Sequence, residues 1–148
     1  MGVPLEYFPP GAQYVLPMSS LRVDQPDVAR LGSMGVVWQE YPDAALNVYR
    51  FWTEKGSRKA FLGITASHAP TLRPDSRIHF KSDIADEFNY GCGISEFGGF
   101  RCTFVARYEE FIIAFNSDMD DGIMTPDYFN QIIEYIDAQM AVRLGEDK

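Results

Sequence analysis

The sequence predicts an α+β fold: an antiparallel sheet of about six strands, a long C-terminal helix packed on one face, and one short additional helix. Two observations carry this prediction. A long amphipathic stretch closes the chain, and several short segments rich in aromatic and β-branched residues precede it, separated by turn residues. An apolar content of 46% and an aromatic content of 14% are typical of a folded chain. We expect residues 1–148 to form a single domain.

The C-terminal helix is predicted over residues 125–144. Thr125 suits the N-cap position, and Pro126 suits the first helical position. The apolar residues that follow recur at spacings of three and four, which places them on one face of a helix. They are Phe129, Ile132, Ile133, Ile136, Met140 and Leu144. A face of this kind needs a sheet to cover.

Residues 90–117 are predicted to form a three-stranded hairpin region. Its strands span residues 90–95, 100–107 and 111–115, and the last segment is apolar at every position, so we expect both of its faces to be covered. If the first loop has three residues, Cys92 lies directly opposite Cys102, which allows a disulfide. The alternative is two reduced, buried cysteines, because a slip of one residue would place the sulfurs on opposite faces.

An antiparallel meander is predicted upstream, over residues 34–67. Its strands span residues 35–41, 45–54 and 58–66, and the residues Lys-Gly-Ser at positions 55–57 form the turn between the last two.

Residues 68–89 are expected to hold a loop and then a short helix over residues 83–88, with Ser82 as its cap. Residues 1–33 predict an irregular wrap, because five prolines break up any helix and disfavour a central strand. These prolines are Pro4, Pro9, Pro10, Pro17 and Pro26.

The net charge of −8 disfavours a nucleic-acid-binding surface, which requires a basic patch. The basic residues, Arg50 among them, are scattered along the sequence, as is typical of a solvated sheet face. No apolar run approaches the roughly 20 residues of a membrane span, and no signal peptide is visible. A bridged Cys92–Cys102 pair would indicate a mature extracytoplasmic domain whose leader has been removed, whereas free thiols would indicate the cytoplasm.

An acidic loop and two histidines are the residues to which chemistry could be assigned. Asp118, Asp120 and Asp121 could offer oxygen ligands to a metal ion. Their spacing departs from the calcium-loop pattern because Asp121 stands where glycine is required, and a solvated turn is the alternative. His68 and His79 would form an acid–base site only if they converged with a carboxylate. No phosphate-binding or dinucleotide-binding motif is present, and we expect no cofactor.

The aromatic residues Trp38, Tyr49, Trp52 and Phe97 are the candidates for a binding strip. The leading hypothesis is a non-enzymatic binding or accessory domain that recognises a protein partner or a small apolar ligand. One alternative is a cytosolic immunity-type or secretion-chaperone protein whose negative charge neutralises a basic partner. A second alternative is a small enzyme with a site near His68 and His79. The sequence does not predict an oligomeric state.

Overall fold

The computed structural model describes residues 2–39, 43–68, 73–94, 99–120 and 122–146. It contains one six-stranded antiparallel sheet with strand order β1-β2-β3-β6-β5-β4 and two α-helices, which confirms the predicted fold class. The strands are β1 (Gln13–Leu21), β2 (Val28–Val37), β3 (Ala44–Phe51), β4 (Glu87–Ile94), β5 (Phe100–Tyr108) and β6 (Phe111–Asp118). The helices are α1 (Glu54–His68) and α2 (Pro126–Glu146), and a short 3-10 turn spans Leu5–Tyr7.

Helix α2 covers one face of the sheet. All six residues of the predicted apolar face are buried, from Phe129 to Leu144. They belong to one core cluster with alternate residues of β6 and β5, including Ile113, Phe115 and Phe104. The helix prediction is therefore confirmed in its start, its buried face and its docking on a sheet, and only its end lies slightly further along the chain.

Helix α1 replaces the predicted strand over residues 58–66, so that prediction is wrong. Phe61 is 3% exposed whereas its neighbour Leu62 is 75% exposed, and Phe61 packs beside Ala60 and Ile64 at helical spacing. Thr53 Oγ1 accepts a hydrogen bond from the Gly56 N–H at 3.0 Å, as an N-cap side chain does. The supposed turn at residues 55–57 is the first turn of this helix.

Helix α1 packs on the sheet face opposite to α2. Phe61 joins a second core cluster with Phe51, Val105, Ile112 and Ala114. Because these strand residues alternate with those that face α2, the central strand β6 is buried on both sides. The expectation that both faces of residues 111–115 are covered is confirmed.

The N-terminal region is more regular than predicted. Strands β1 and β2 occupy much of the stretch that the prolines led us to expect as irregular, residues 1–33. Pro17 is tolerated because β1 is an edge strand, with a partner strand on one side only. The pairing of β1 with β2 also shows two register shifts, between Tyr14 and Leu16 and between Leu16 and Ser19, and Pro17 lies in the second.

No helix forms over residues 83–88, which corrects a further prediction. Ser82 Oγ does accept hydrogen bonds from the N–H groups of Ile84 and Ala85, as a cap would. The chain then enters β4 at Glu87. Phe88 packs edge-on against Phe80, with ring centroids 4.8 Å apart, and these strand contacts outweigh a helix too short to be stable on its own.

The outer edge of β4 is partly occupied. Arg73 and Cys92 exchange two backbone hydrogen bonds, of 2.8 and 3.2 Å, in an isolated antiparallel bridge. At the opposite edge of the sheet lies the irregular strand β1. Neither helix in the described ranges is long and apolar enough to cross a membrane.

Candidate functional site

Of the four aromatic residues predicted to bind a partner, the three that the structure describes do not form one strip. Trp38 is half-buried, with its ring 6.1 Å from that of Phe8, and its backbone N–H donates to Asp43 Oδ2 at 2.7 Å, so this residue contributes to the fold. Tyr49 faces α1. Trp52 is 71% exposed, just before α1. Phe97 lies outside the described residues.

The two histidines lie on different sides of the sheet. His68 Nε2 is 3.0 Å from the hydroxyl of Tyr49 on the α1 side, where burial lowers the pKa of His68 and raises the pKa of Tyr49. His79 is exposed, and its neighbours Ile78 and Phe80 belong to the core cluster that includes α2. The structure does not bring the two imidazoles together.

The cysteines, and those residues of the acidic loop that the structure describes, form a disulfide and hydrogen bonds within the fold. Cys92 lies directly opposite Cys102 in the β4–β5 register, and the two form a buried disulfide.

Asp118 accepts a hydrogen bond from Arg101 at 2.8 Å, and Asp120 Oδ1 accepts from the N–H groups of Gly122 and Ile123. Asp121 lies outside the described residues. Within the described ranges, no three His, Cys, Asp or Glu side chains converge as metal ligands would.

A different feature, missed by sequence reasoning, offers a better site. A pocket of about 140 Å³ lies between the last turns of α2 and the strands β1, β2, β3 and β6. Three arginines from three elements line it: Arg30 on β2, Arg50 on β3 and Arg143 on α2. We call this feature the arginine pocket.

The arginines of this pocket are crowded. Arg30 and Arg50 are directly opposed across β2 and β3, an arrangement that destabilises a sheet when both residues carry the same charge. The guanidinium carbons of Arg50 and Arg143 lie 5.4 and 5.1 Å from the centroid of the same Phe111 ring. Glu110 compensates in part, with its carboxylate 3.7 Å from Arg50. The β2–β3 pairing also shifts register between Val28 and Arg30, and such irregularities in strand pairing are common beside functional sites.

Arg143 carries an unmet hydrogen-bonding group in this pocket. Its Nε atom is buried, and no described residue accepts a hydrogen bond from it. A buried donor without an acceptor costs about 1–3 kcal/mol, and more when the group is charged. The pocket therefore has both the charge and the free donor to hold an anion.

Apolar residues and two serines, Ser19 and Ser20, also line the pocket. Met18, Val48, Phe111 and Met140 line the pocket beside the arginines. Arg30 and Arg50 also border a second depression that includes Trp52 and Glu110. One of the four predicted aromatic residues is thus adjacent to the site.

Comparison with known proteins gives no family for this chain. No protein-family model matches it, and no solved structure is significantly similar to it. The chain is 24% identical over 156 aligned positions to UDP-N-acetylmuramate–L-alanine ligase from Lactobacillus helveticus, covering 93% of the chain and 33% of the ligase. The ligase of the same name from Lactobacillus acidophilus is 25% identical over 138 positions, covering 85% of the chain and 29% of the ligase. The chain spans about a third of the length of these proteins, and this identity is too low to assign it to their family.

Proposed function

We propose that this chain is a non-enzymatic binding domain that holds its ligand at the arginine pocket. The observation that carries the proposal is that three arginines from three elements line one pocket in a protein of net charge −8. Placing Arg30 opposite Arg50 works against the stability of the sheet, so binding is the better explanation of their positions. Arginine and tryptophan are also the residue types that most often dominate binding energies, and Trp52 is adjacent.

Binding fits the pocket better than catalysis does. The described residues that line it include no His, Cys, Asp or Glu to act as a base or nucleophile. Its two serines, Ser19 and Ser20, therefore lack an activating partner, and the Ser19 hydroxyl already donates to the Pro17 carbonyl oxygen at 2.6 Å. The three arginines of the pocket also favour a ligand that carries negative charge over a purely apolar one.

Thermal unfolding with panels of anionic, neutral and cationic small molecules tests the proposed function. Anionic compounds should raise the melting temperature of the wild-type protein, because a ligand that binds only the folded state stabilises it. Arg30→Gln should abolish the shift. Arg22→Gln is the matched control, since Arg22 is exposed and pairs only loosely with Asp24 at 3.6 Å. Equal shifts in both variants, or shifts with cations alone, would contradict the proposal.

The disulfide supports an extracytoplasmic site of action as part of this proposal. Cytosolic thiols are kept reduced, so a structural disulfide is expected outside that compartment. Thiol alkylation of the protein in freshly lysed source cells would test the location. Cys92 and Cys102 should become reactive only after reduction, and labelling without reductant would favour the cytoplasm.

A second candidate function follows from the acidic surface. A net charge of −8 would suit an immunity-type or chaperone protein that binds a basic partner. Such a complex should weaken as salt rises and should be insensitive to Arg30→Gln, because the arginine pocket would not contact the partner. The same variant therefore separates the two functions.

A further inference from the structure

We propose that the ligand of the arginine pocket is a small organic oxyanion, a carboxylate or phosphate group that carries a short apolar substituent. The inference rests on the proposed function and names the chemical class of its ligand. Three features of the pocket define this class: the donors, the charge balance, and the walls with their size.

The donors suit an oxyanion. A guanidinium presents several N–H groups in a planar fork that matches the oxygens of a carboxylate or phosphate. Arg143 brings a buried Nε–H that no described residue uses, and Arg30 and Arg50 approach from neighbouring strands. An oxyanion between them would accept hydrogen bonds from the buried Nε–H of Arg143 and from the more exposed guanidinium groups of Arg30 and Arg50.

The charge balance calls for a negative ligand. Glu110 is the one carboxylate among the described residues lining the pocket and the adjoining depression, and it lies 3.7 Å from Arg50. Two of the three guanidinium charges are therefore unmatched within the site. An anion would turn the repulsion between Arg30, Arg50 and Arg143 into attraction to a common centre.

The apolar lining residues and the volume of the pocket restrict the part of the ligand beyond its oxyanion group. Met18, Val48, Phe111 and Met140 supply apolar and aromatic surface beside the arginines. A volume of about 140 Å³ is below the roughly 300–1,000 Å³ of pockets that hold drug-sized ligands. The pocket thus fits a head group and a short apolar chain, and it is too small to enclose a nucleotide or a large cofactor.

Calorimetric titration with matched six-carbon probes tests the inference. Hexanoate and hexyl phosphate supply the two head groups, 1-hexanol lacks the charge, and inorganic phosphate lacks the chain. We expect at least one of the two amphiphilic anions to bind about tenfold or more tighter than both 1-hexanol and inorganic phosphate. The ratio of hexanoate to hexyl phosphate affinity identifies the head group.

Variants assign the binding to the pocket. Arg30→Gln should weaken the preferred anion about tenfold or more, and because Arg30 is solvent-exposed, this variant should remain folded. Arg143→Lys keeps the charge but removes the fork and should also weaken binding. Arg22→Gln should bind like the wild type.

Several results would overturn the inference. If 1-hexanol binds as tightly as hexanoate, the arginines do not select the ligand. If inorganic phosphate binds as tightly as hexyl phosphate and this binding depends on Arg30, the apolar residues do not contribute to affinity. The ligand class is then wrong, but the proposed function stands. The same conclusion follows if no six-carbon probe binds and the binding of another ligand depends on Arg30. If Arg30→Gln changes no binding event at all, the inference and the proposed function both fail.

Discussion

Tyr108 and Asp137 keep a polar interaction inside the core on the α2 side. The Tyr108 hydroxyl donates to Asp137 Oδ1 at 2.8 Å, and the Ser82 hydroxyl donates to the same oxygen at 2.7 Å. Burial, followed by the nearby carboxylate, raises the pKa of Tyr108 well above its usual range, so the phenol remains a neutral donor. The three residues come from distant parts of the sequence, and the half-buried Asp137 carboxylate gains both donors only when the fold brings them together.

Removing one donor from this group should be costly. Tyr108→Phe keeps the ring but takes a hydrogen bond from the Asp137 carboxylate, and we expect the free energy of unfolding to fall by about 1–3 kcal/mol. Urea unfolding measures this change. Tyr90→Phe is the control, since Tyr90 is half-buried on the same face and donates no side-chain hydrogen bond to a described residue. Similar losses in both variants would show that the hydroxyl of Tyr108 contributes nothing specific.

His68 should make stability depend on pH. Because burial lowers its pKa in the folded protein, the unfolded chain takes up the proton at a higher pH, near the ordinary value of about 6.5. Stability should therefore fall as the pH drops from about 6.5 towards the lowered pKa of the folded state. His68→Gln should flatten this part of the profile. Urea midpoints of the wild type and of this variant, measured between pH 7.5 and 5, provide the test, and identical profiles for the two proteins would contradict it.

At the scale of elements, the two helices show which signals a sequence carries locally. Helix α2 is predictable from its N-cap and six periodic apolar positions, all of which lie within the element itself. Helix α1 escapes prediction because its segment offers few buried positions, chiefly Ser57 and Phe61, so a strand-like alternation fits equally well. Thr53 is the available signal, as an N-cap before an acidic first turn.

The strands and the arginine pocket also differ in whether their signals lie within one segment of the sequence. The β4–β5 register follows from the length of one short loop, which is local information. Strands β1 and β2 are not predicted because Pro17 and the other prolines of this region disfavour a central strand. Only the sheet order shows that β1 lies at an edge. The arginine pocket could not be predicted, since Arg30, Arg50 and Arg143 meet only through strand pairing and the docking of α2.

Adjacent residues in α1 should respond very differently to truncation. Phe61→Ala removes a buried ring from the cluster on the α1 side and should cost about 3–5 kcal/mol of unfolding free energy. Leu62→Ala should change it by less than about 0.5 kcal/mol, because this side chain is exposed. Chemical denaturation of both variants checks the assignment. A large loss for Leu62→Ala would indicate that the segment is not the helix described.

The β4–β5 hairpin should depend on its disulfide. Replacing Cys92 and Cys102 together by alanine frees a loop of sequence separation 10 in the unfolded chain, and we expect a loss of about 2–3 kcal/mol. Adding reductant to the wild type should produce a similar loss, and it should have no effect on the double variant. Denaturant unfolding with and without reductant makes the comparison. A wild type insensitive to full reduction would rule out a stabilising role for the bridge.

At the scale of the whole molecule, charge is unevenly placed. The chain carries 21 acidic and 13 basic residues, so an arginine usually has a carboxylate nearby. Arg107 shows this arrangement: its buried guanidinium lies 2.6 Å from Glu87 and 3.5 Å from Asp86. The arginine pocket departs from it, since its guanidinium groups outnumber the carboxylates among the described lining residues.

Unliganded protein should therefore gain stability when a pocket arginine is neutralised. Arg30→Gln removes a like charge directly opposite Arg50, and we expect the free energy of unfolding to rise by about 0.2–1 kcal/mol at low ionic strength. The gain should shrink in high salt, which screens exposed charges. Thermal unfolding at two salt concentrations tests this, with Arg22→Gln as the control. A loss of stability at low salt would mean that Arg30 is needed for folding.

The two edges of the sheet also affect whether copies of this protein associate. A long, regular edge strand offers unpaired backbone groups with which a strand of another chain can pair, and aggregation often starts there. Here β1 is broken by register shifts and contains Pro17, while part of the outer side of β4 is occupied by Arg73. The irregular course of β1 and the Arg73 bridge at Cys92 each shorten the stretch of backbone with which an incoming strand could pair. Concentrated solutions of the folded protein should consequently resist fibrillar self-association.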